Sequence, residues 1–213
     1  VQNIGAYGVE IKDVIESVEA WNQLTFEKHV FSVDECEYAY RYSRFKAEGQ
    51  DPYIVTYVTL RLSKHPVYKM EYGALQKQLE QKEISLQAIR DCVISIRQDK
   101  LPDPDKLGNA GSFFMNPVIT KEHFERIRSA YPTVPSYPLE DGKIKVPAGW
   151  LIEQCGFKGK RHGDVGVYEK QALVLVNYGG ATGDEIVLVA ESIRMAVKER
   201  FDIDLLPEVK YIA

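Results

Sequence analysis

The sequence predicts a fold of mixed helices and strands, either α+β or mixed α/β, on three observations. Helix-like and strand-like segments follow one another in mixed order along the chain. No internal repeat interrupts that order over the 213 residues. The hydrophobic content is 45%, which is enough to bury a core and to form one or two domains.

Strands in the first half are predicted from alternating, β-branched and aromatic residues. Residues 9–20 alternate well enough for a strand, and residues 53–62 are rich in Val, Thr and Tyr. Ser32 followed three residues later by Glu35 is a capping-box pattern, which predicts that a short helix starts there. A further helix is expected around residues 72–82.

The next helix and its end are marked by unusually clear local signals. Ser85 is the predicted N-cap, and an apolar stripe follows at helical spacing: Leu86, Ile89, Val93 and Ile96. The sequence Leu101-Pro102-Asp103-Pro104 predicts its end, because two prolines cannot continue a helix.

Helices and strands alternate through the second half of the chain. Helices are predicted at 120–131, at 148–155 with Gly156 as a left-handed cap, and at 183–200 with Thr182 and Glu185 as a capping box. Strands are predicted at 143–146, 165–168, 172–177 and 207–212.

Composition and charge exclude several classes of protein. Charged residues make up 27% and the net charge is −4, which argues against a general nucleic-acid binder. The three cysteines and four histidines are scattered, so neither a disulfide framework nor a metal site is expected. No apolar run approaches the ~18 residues of a membrane span. A soluble, reducing, cytoplasmic setting is predicted. The chain starts without Met or a signal core, and we expect a segment upstream of it.

Two segments could bind phosphate, and each has a simpler interpretation. Residues 179–183, Gly-Gly-Ala-Thr-Gly, lie between a predicted strand and helix, but their spacing fits no nucleotide fingerprint and favours a turn. Residues 158–162, Lys-Gly-Lys-Arg-His, form a basic run, which is more often solvated surface than a phosphate site.

Two further positions stay open on local evidence alone. Ser112 lies in the tight, partly apolar loop 111–117, where it could meet a desolvated ligand or cap a backbone group. Glu208 lies in the last predicted strand, either facing solvent or held in its protonated form in an apolar setting. Arg41 and Tyr72 would ordinarily be surface residues.

Seven short segments spread over nearly the whole chain carry a family resemblance. They are Gln2-Asn3-Ile4-Gly5-Ala6-Tyr7-Gly8, Tyr40-Arg41-Tyr42-Ser43, Lys100-Leu101-Pro102-Asp103-Pro104, Gly108-Asn109-Ala110-Gly111-Ser112-Phe113-Phe114, Ala148-Gly149-Trp150-Leu151-Ile152-Glu153, Gln171-Ala172-Leu173-Val174-Leu175-Val176-Asn177 and Pro207-Glu208-Val209. Together they resemble the UDP-N-acetylenolpyruvoylglucosamine reductases, the flavoenzymes of bacterial peptidoglycan precursor synthesis. Their specificity comes from occurring in the family's order.

The resemblance implies an α+β fold that joins a partial FAD-binding domain of the vanillyl-alcohol-oxidase type to a substrate domain. Residues 1–101 are expected to form the second half of the FAD-binding domain and residues 102–201 the substrate domain. Residues 202–213 are expected to return to the FAD domain as a strand, with the active site at the junction. FAD is the implied cofactor, NADPH the reductant and a nucleotide sugar the substrate. The implied protein is a cytoplasmic monomer without nucleic-acid or membrane partners.

The resemblance also implies roles for three catalytic residues. In the family, FAD is reduced by NADPH, and the enolpyruvyl ether of the substrate then accepts a hydride. By this likeness Ser112 protonates the carbanion-like carbon that results, which requires a strongly basic intermediate. Arg41 and Glu208 resemble the pair that stabilises charge on the substrate carboxylate, with Glu208 protonated or sharing a proton.

Further positions match the family's contacts to substrate and flavin. The implied substrate residues are Tyr72, which lies on a lid-like loop, Lys100, Asn116, Tyr137 and Gln171. The implied neighbours of the flavin are Gln2, Asn3, Gly5, Tyr7, Gly8 and Ile54. Two positions depart from the family pattern, because Met115 stands where many members have Lys and Tyr42 where many have Asp.

Two competing functions follow from what the sequence lacks. Nothing in it resembles the family's Gly-Ser-Asn loop for the FAD pyrophosphate, so a nucleotide-sugar-binding fragment without catalysis is the alternative. An oxidase sharing the flavin fold is a third possibility. The Ser112 loop argues against it, because an oxidase need not protonate a substrate carbanion.

Overall fold

The computed structural model describes residues 1–47, 52–69, 73–80 and 83–212. Helices and antiparallel sheets share the chain, which confirms the α+β prediction. Two compact units divide it, Val1–Val93 and Ile94–Ala213, so the division falls before the predicted boundary at residue 101. The assignment of these parts to a flavin domain and a substrate domain stays a prediction.

The first unit is built on a three-stranded antiparallel sheet. Strands β1 (Gly5–Ala6) and β2 (Val9–Glu10) pair with each other, and the sheet itself has the order β4-β3-β5. Its strands are β3 (Ile15–Asn22), β4 (Lys28–Ser32) and β5 (Tyr53–Leu60). One small cluster of buried side chains forms the core of the unit: Ile15, Val18, Ala20, Phe31 and Cys36.

Two predictions in this unit are wrong in part. The strand expected at 9–20 is broken by a 3-10 turn at Ile11–Asp13, where Asp13 accepts a hydrogen bond from the backbone N–H of Glu10. The capping box of Ser32 and Glu35 makes its hydrogen bonds but starts only a 3-10 turn, Asp34–Cys36. That turn ends because Glu37 adopts a left-handed conformation with φ of 52°.

The helices α1 (Gly73–Leu79) and α2 (Leu86–Lys100) follow, and the unit division falls inside α2. The Ser85 cap is confirmed, since its hydroxyl accepts a hydrogen bond from the N–H of Ala88 at 3.1 Å. Of the predicted apolar stripe, Ile96 is buried and Ile89 and Val93 are half-buried. Leu86, in the first turn, is 63% exposed.

The second unit contains two antiparallel sheets. The first has the order β10-β11-β12-β6, with β6 (Gly108–Ser112), β10 (Arg161–His162), β11 (Val165–Val167) and β12 (Val174–Asn177). The second has the order β7-β9-β8, with β7 (Val118–Ile119), β8 (Tyr137–Pro138) and β9 (Ile144–Lys145).

Three helices complete this unit: α3 (Lys121–Ala130), α4 (Ala148–Gln154) and α5 (Gly183–Phe201). The predicted capping box at α5 is confirmed in both directions, since the side chains of Thr182 and Glu185 each accept from the other's backbone N–H. Gly156 follows α4 with φ of 76°, as expected for a left-handed cap. The core is one continuous cluster of buried side chains from both sheets and all three helices.

The strand predicted at 207–212 is not formed, which corrects that expectation. After α5 the chain buries Ile203 and Leu205 and then makes one isolated bridge, between Phe114 and Pro207. A strand needs a continuous ladder of backbone partners. The two backbone hydrogen bonds that hold the chain here run from Met115 N–H to Leu206 O and from Glu208 N–H to Phe113 O, both within the second unit.

Three general features concern the described residues as a whole. All three cysteines are free thiols, and burial raises the pKa of Cys36 and of Cys155. Among residues 1–47, 52–69, 73–80 and 83–212, no helix is long and apolar enough to cross a membrane. The same residues contain no group of three His, Cys, Asp or Glu side chains that could hold a metal ion.

Candidate active site

Ser112 is the last residue of β6 and is exposed. It pairs with Val174 of β12, and the next residue, Phe113, donates its N–H to Leu173 O at 2.7 Å. The rings of Phe113 and Phe114 are buried against each other, with centroids 5.1 Å apart. The aromatic pair therefore fixes the strand end, while the hydroxyl-bearing residue before it remains accessible.

Glu208 lies beside this strand end, although it is distant in sequence. Its backbone N–H donates to Phe113 O at 2.8 Å, next to the bridge between Phe114 and Pro207. Its side chain is half-buried, so neither the solvent face nor a closed apolar strand describes its setting. The second unit thus brings two of the three predicted catalytic residues onto adjacent backbone segments.

Asn116 and Gln171, two predicted substrate residues, both touch the start of α4. The side-chain oxygen of Asn116 accepts from the N–H of Ala148 at 2.9 Å. That of Gln171 accepts from Leu173 N–H at 3.3 Å and would lie 3.2 Å from a Cβ added to Gly149. Each amide is therefore oriented through its oxygen, and the amide NH₂ group is a donor of the kind a phosphate requires.

The other predicted substrate residues are less constrained. Tyr137 in β8 is exposed, and Lys145 Nζ lies 5.7 Å from the centre of its ring across the strand pair. Lys100 is the exposed last residue of α2. Tyr72 lies outside the described residues. Lys145 was not predicted, although a cation beside the Tyr137 ring suits an anionic ligand.

A cavity of about 800 Å³ lies near this region of the second unit. It is lined by residues between 97 and 111 and by Tyr168. Gly111, the neighbour of Ser112, contributes to its wall, but none of the four predicted substrate residues that the structure describes does: Lys100, Asn116, Tyr137 and Gln171. The cavity therefore does not coincide with the predicted substrate contacts.

Arg41 belongs to the first unit and sits in a tight turn. Ala39 and Tyr42 exchange two backbone hydrogen bonds of 3.1 Å, and Arg41 between them has φ of 54°. Its guanidinium Nη2 donates to Gly5 O at 3.1 Å and packs over the Tyr40 ring at 5.5 Å. The predicted carboxylate-binding residue therefore contacts the segment predicted to border the flavin.

That N-terminal segment contains Asn3, whose side chain is fully buried. Its amide nitrogen donates to Ala39 O at 2.9 Å and to Glu10 Oε2 at 3.0 Å, and its oxygen accepts from Lys12 N–H. Burial opposes ionisation of Glu10, but hydrogen bonds from Lys12 and Asn3 outweigh it and lower its pKa. The polar atoms of the Asn3 side chain thus form hydrogen bonds within the protein, and its contact with the flavin remains a prediction.

The remaining predicted cofactor residues fit one part of a flavin better than the other. A flavin ring needs an apolar face and polar edges, and the exposed residues Ile54 and Gln2 supply these two kinds of surface. Gly8 has φ of 81° and open space where a Cβ would lie, which suits close approach of a ligand. The predicted set includes no cation, so these residues fit the ring system rather than the pyrophosphate.

The structure favours the simpler interpretation of both possible phosphate segments. Asn177 Oδ1 accepts from the N–H groups of Gly179 and Ala181, so the glycine-rich loop is a turn organised by its own chain. In the basic run, Lys158 pairs with Glu153 and Arg161 with Asp164, as expected of a solvated surface.

Two residues that form partly buried hydrogen bonds around the predicted site residues were not identified from the sequence. Glu10 binds the Asn3 amide, and the hydroxyl of Ser43, which is fully buried, donates to Val1 O at 2.6 Å. Ser43 stands in a segment that carried the family resemblance, but its partner could not be read from spacing. Glu10 carried no local signal.

Comparison with known proteins assigns the chain to a family of reductases. The family model for the C-terminal domain of UDP-N-acetylenolpyruvoylglucosamine reductase matches residues 103–212, more than half of the chain. The chain belongs to this family.

Individual relatives are similar in sequence to this chain along its whole length. The UDP-N-acetylenolpyruvoylglucosamine reductase of Porphyromonas gingivalis is 56% identical over 214 residues, which is 100% of this chain and 63% of the relative. That of Bacteroides fragilis is 48% identical over 213 residues, 100% of this chain and 64% of the relative. The chain thus spans less than two thirds of the length of these curated relatives.

A solved structure resembles the fold. The crystal structure of UDP-N-acetylenolpyruvylglucosamine reductase from Thermus caldophilus aligns with a TM-score of 0.61 at 23% identity. The alignment covers 98% of this chain and 57% of the other. At this identity the likeness supports the α+β fold alone.

Proposed function

We propose that this chain carries the substrate-protonating part of an NADPH- and FAD-dependent reductase of UDP-N-acetylglucosamine enolpyruvate, which forms UDP-N-acetylmuramate. The observation that carries the proposal is the backbone contact between Phe113 and Glu208. It joins the segment of Ser112 to that of Glu208 inside one unit, although the two are far apart in sequence. Family membership supports the same reaction.

Ser112 is proposed as the proton donor. When bound, FAD reduced by NADPH supplies a hydride to the terminal carbon of the enolpyruvyl group. A serine hydroxyl is a very weak acid and can protonate only a strongly basic carbon, such as one next to a carboxylate that has gained electron density. The exposed position of Ser112, at a strand end fixed by buried aromatic rings, suits a donor that must reach a ligand.

Arg41 and Glu208 are proposed to stabilise that carboxylate. The planar guanidinium of Arg41 can hold a carboxylate with two parallel hydrogen bonds, and its turn already fixes the backbone that carries it. Glu208, in its protonated form, would donate to the same group. Electrostatic stabilisation of developing charge by such fixed groups lowers the barrier of the chemical step.

The diphosphate of the nucleotide sugar is proposed to bind neutral and cationic donors. The oriented amides of Asn116 and Gln171 are neutral donors, and Lys100 adds charge. Tyr137 and Tyr72 complete the proposed contacts. We further propose a cytoplasmic monomer that uses NADPH and this one nucleotide sugar, without nucleic-acid or membrane partners.

The test separates the two half-reactions in the full-length gene product. In Ser112→Ala, anaerobic reduction of the flavin by NADPH should keep its rate. Reoxidation by the enolpyruvyl substrate should slow by about 10²- to 10⁴-fold, the range of general acid catalysis. Ser129→Ala, which changes an exposed serine of α3 in the same unit, is the matched control. Normal reoxidation in Ser112→Ala would remove Ser112 from the mechanism.

A second function, binding of the nucleotide sugar without catalysis, is favoured by the lack of a cation among the predicted cofactor residues. The two functions predict different visible absorbance for the purified protein. A yellow protein that NADPH bleaches without oxygen supports the reductase, whereas colourless protein that binds the nucleotide sugar supports the binding module. Both outcomes are read by absorbance and by calorimetric titration of the sugar.

A further inference from the structure

The turn that carries Arg41 is tied to the N-terminal segment at three points. Ser43 Oγ donates to Val1 O at 2.6 Å, Asn3 Nδ2 to Ala39 O at 2.9 Å, and Arg41 Nη2 to Gly5 O at 3.1 Å. We call residues 39–43 the Arg41 turn. Alternate residues of the N-terminal segment thus each hold one point of it.

Asn3 is the central link of the three, and its side chain makes three hydrogen bonds within the protein. Its side chain is fully buried, and its amide makes hydrogen bonds to Ala39, Glu10 and Lys12. Truncation would remove one of the two donors to the Ala39 carbonyl, and the loss of that hydrogen bond weakens the tie between the N-terminal segment and the turn. The bond matters for the turn because Ala39 O also accepts from the N–H of Tyr42, on the far side of Arg41.

Backbone strain is concentrated where these segments meet. Arg41, Asn3 and Tyr7 have φ of 54°, 53° and 54°, three of the six left-handed non-glycine residues among those the structure describes. Such conformations persist only where surrounding contacts over-determine them, and they cluster at functional sites. The Asn3 and Ser43 hydrogen bonds are contacts of that kind for Arg41.

We propose that Asn3 is a positioning residue for Arg41. It fixes the turn through Ala39, so that the guanidinium is held ready for the substrate carboxylate before substrate arrives. This deepens the proposed function and rests on it, because it assumes that Arg41 binds that carboxylate. It gives Asn3 a role on the substrate side, whereas the family likeness placed this residue beside the flavin.

The experiment compares Asn3→Ala, Arg41→Ala and the double variant in the full-length gene product. Asn22→Ala is the matched control, because Asn22 is also buried in the first unit and its amide oxygen accepts from Leu24 and Thr25 N–H. One readout is hydrogen exchange of the Tyr42 N–H, which needs no flavin. The other is reoxidation of the reduced flavin by the enolpyruvyl substrate.

Asn3→Ala should speed exchange at Tyr42 by about tenfold, since a lost hydrogen bond of about 1.4 kcal/mol corresponds to that factor. It should slow reoxidation by about 10- to 100-fold, the cost of a small misplacement of a catalytic group. In the Arg41→Ala background the same change should alter reoxidation by less than about twofold, because residues acting through one group are not additive. Asn22→Ala should change neither quantity.

The proposal would be overturned if Asn3→Ala slowed reoxidation by the same factor in the otherwise unchanged protein and in Arg41→Ala. Unchanged hydrogen exchange of the Tyr42 N–H would also overturn it. If Asn3→Ala does not fold, Asn3→Gly replaces it, because glycine adopts the φ of 53° without strain and also lacks the donor to Ala39. Failure of the proposed function gives a different pattern. Arg41→Ala would then leave reoxidation unchanged, while the exchange result would still report on the turn.

Discussion

The two units hold their functional residues by different means. Among the residues that the structure describes, Ser112 and Glu208 of the second unit border a cluster of 21 buried side chains, whereas the core cluster beside the sheet of the first unit has five. The first unit also leaves large apolar side chains on β5 exposed, including Ile54 and Tyr57. The turn that carries Arg41 is tied to the N-terminal segment by hydrogen bonds from the buried side chains of Asn3 and Ser43. A packed core is destabilised when a substitution leaves a cavity, and a buried hydrogen-bonded pair is destabilised when one partner is removed.

The largest effect is expected from a cavity in the core of the second unit. Leu151→Ala removes a fully buried side chain of α4 and should cost about 2–5 kcal/mol of unfolding free energy. Urea denaturation followed by a probe in each unit measures it. Leu188→Ala, on α5 and 67% exposed, is the control and should cost less than about 0.5 kcal/mol. Equal losses would mean that the core does not carry the stability of the unit.

An effect of intermediate size is expected from the capping box, a motif that occurs in both units. Thr182 and Glu185 start a 19-residue helix, whereas Ser32 and Glu35 make the same hydrogen bonds at a 3-residue turn. Thr182→Ala should cost about 1 kcal/mol. Ser32→Ala should cost less, because no helix depends on its cap. Thermal unfolding of the two variants compares them directly, and a larger loss from Ser32→Ala would contradict this account.

The smallest effect is expected from pH in the first unit. The folded pKa of Glu10 is lowered, so its ion pair and hydrogen bonds contribute fully above its ordinary pKa of 4.5. That contribution is lost as the pH falls below 4.5 and through the folded value. Glu10→Gln should flatten the acid side of the stability curve by less than about 1 kcal/mol, as for a partly exposed pair.

Urea titrations at several pH values measure the Glu10 effect. Glu27→Gln, an exposed carboxylate of the same unit, is the control and should leave the curve unchanged. An identical acid limb in Glu10→Gln and the unchanged protein would show that Glu10 does not support the N-terminal segment.

Much of the second unit could be predicted because its signals are local. The Thr182 cap, the left-handed Gly156 and the prolines after Leu101 each act on their own neighbours, and the structure agrees at each. The first unit was harder because identical local signals gave different results. Ser32 and Glu35 predicted a helix, but the left-handed Glu37 ended it after one turn.

The candidate site was likewise predictable only in part. Its residue types were predicted through family resemblance, and membership of the family is confirmed. The roles of Arg41, Ser112 and Glu208 stay predictions. The last strand was predicted wrongly, because alternating apolar residues at 207–212 say nothing about whether a partner strand is available.

Local sequence signals were enough to place the ends of most helices, to show which family the chain resembles and to name the residue types that could carry the chemistry. These depend on interactions within a few residues or on the order of motifs. Only the tertiary structure decided that Glu208 lies beside the Ser112 strand end and that Asn3 is spent on holding the Arg41 turn. Both are hydrogen bonds between segments distant in sequence, and such partners are chosen by the packing of the whole unit rather than by spacing along the chain.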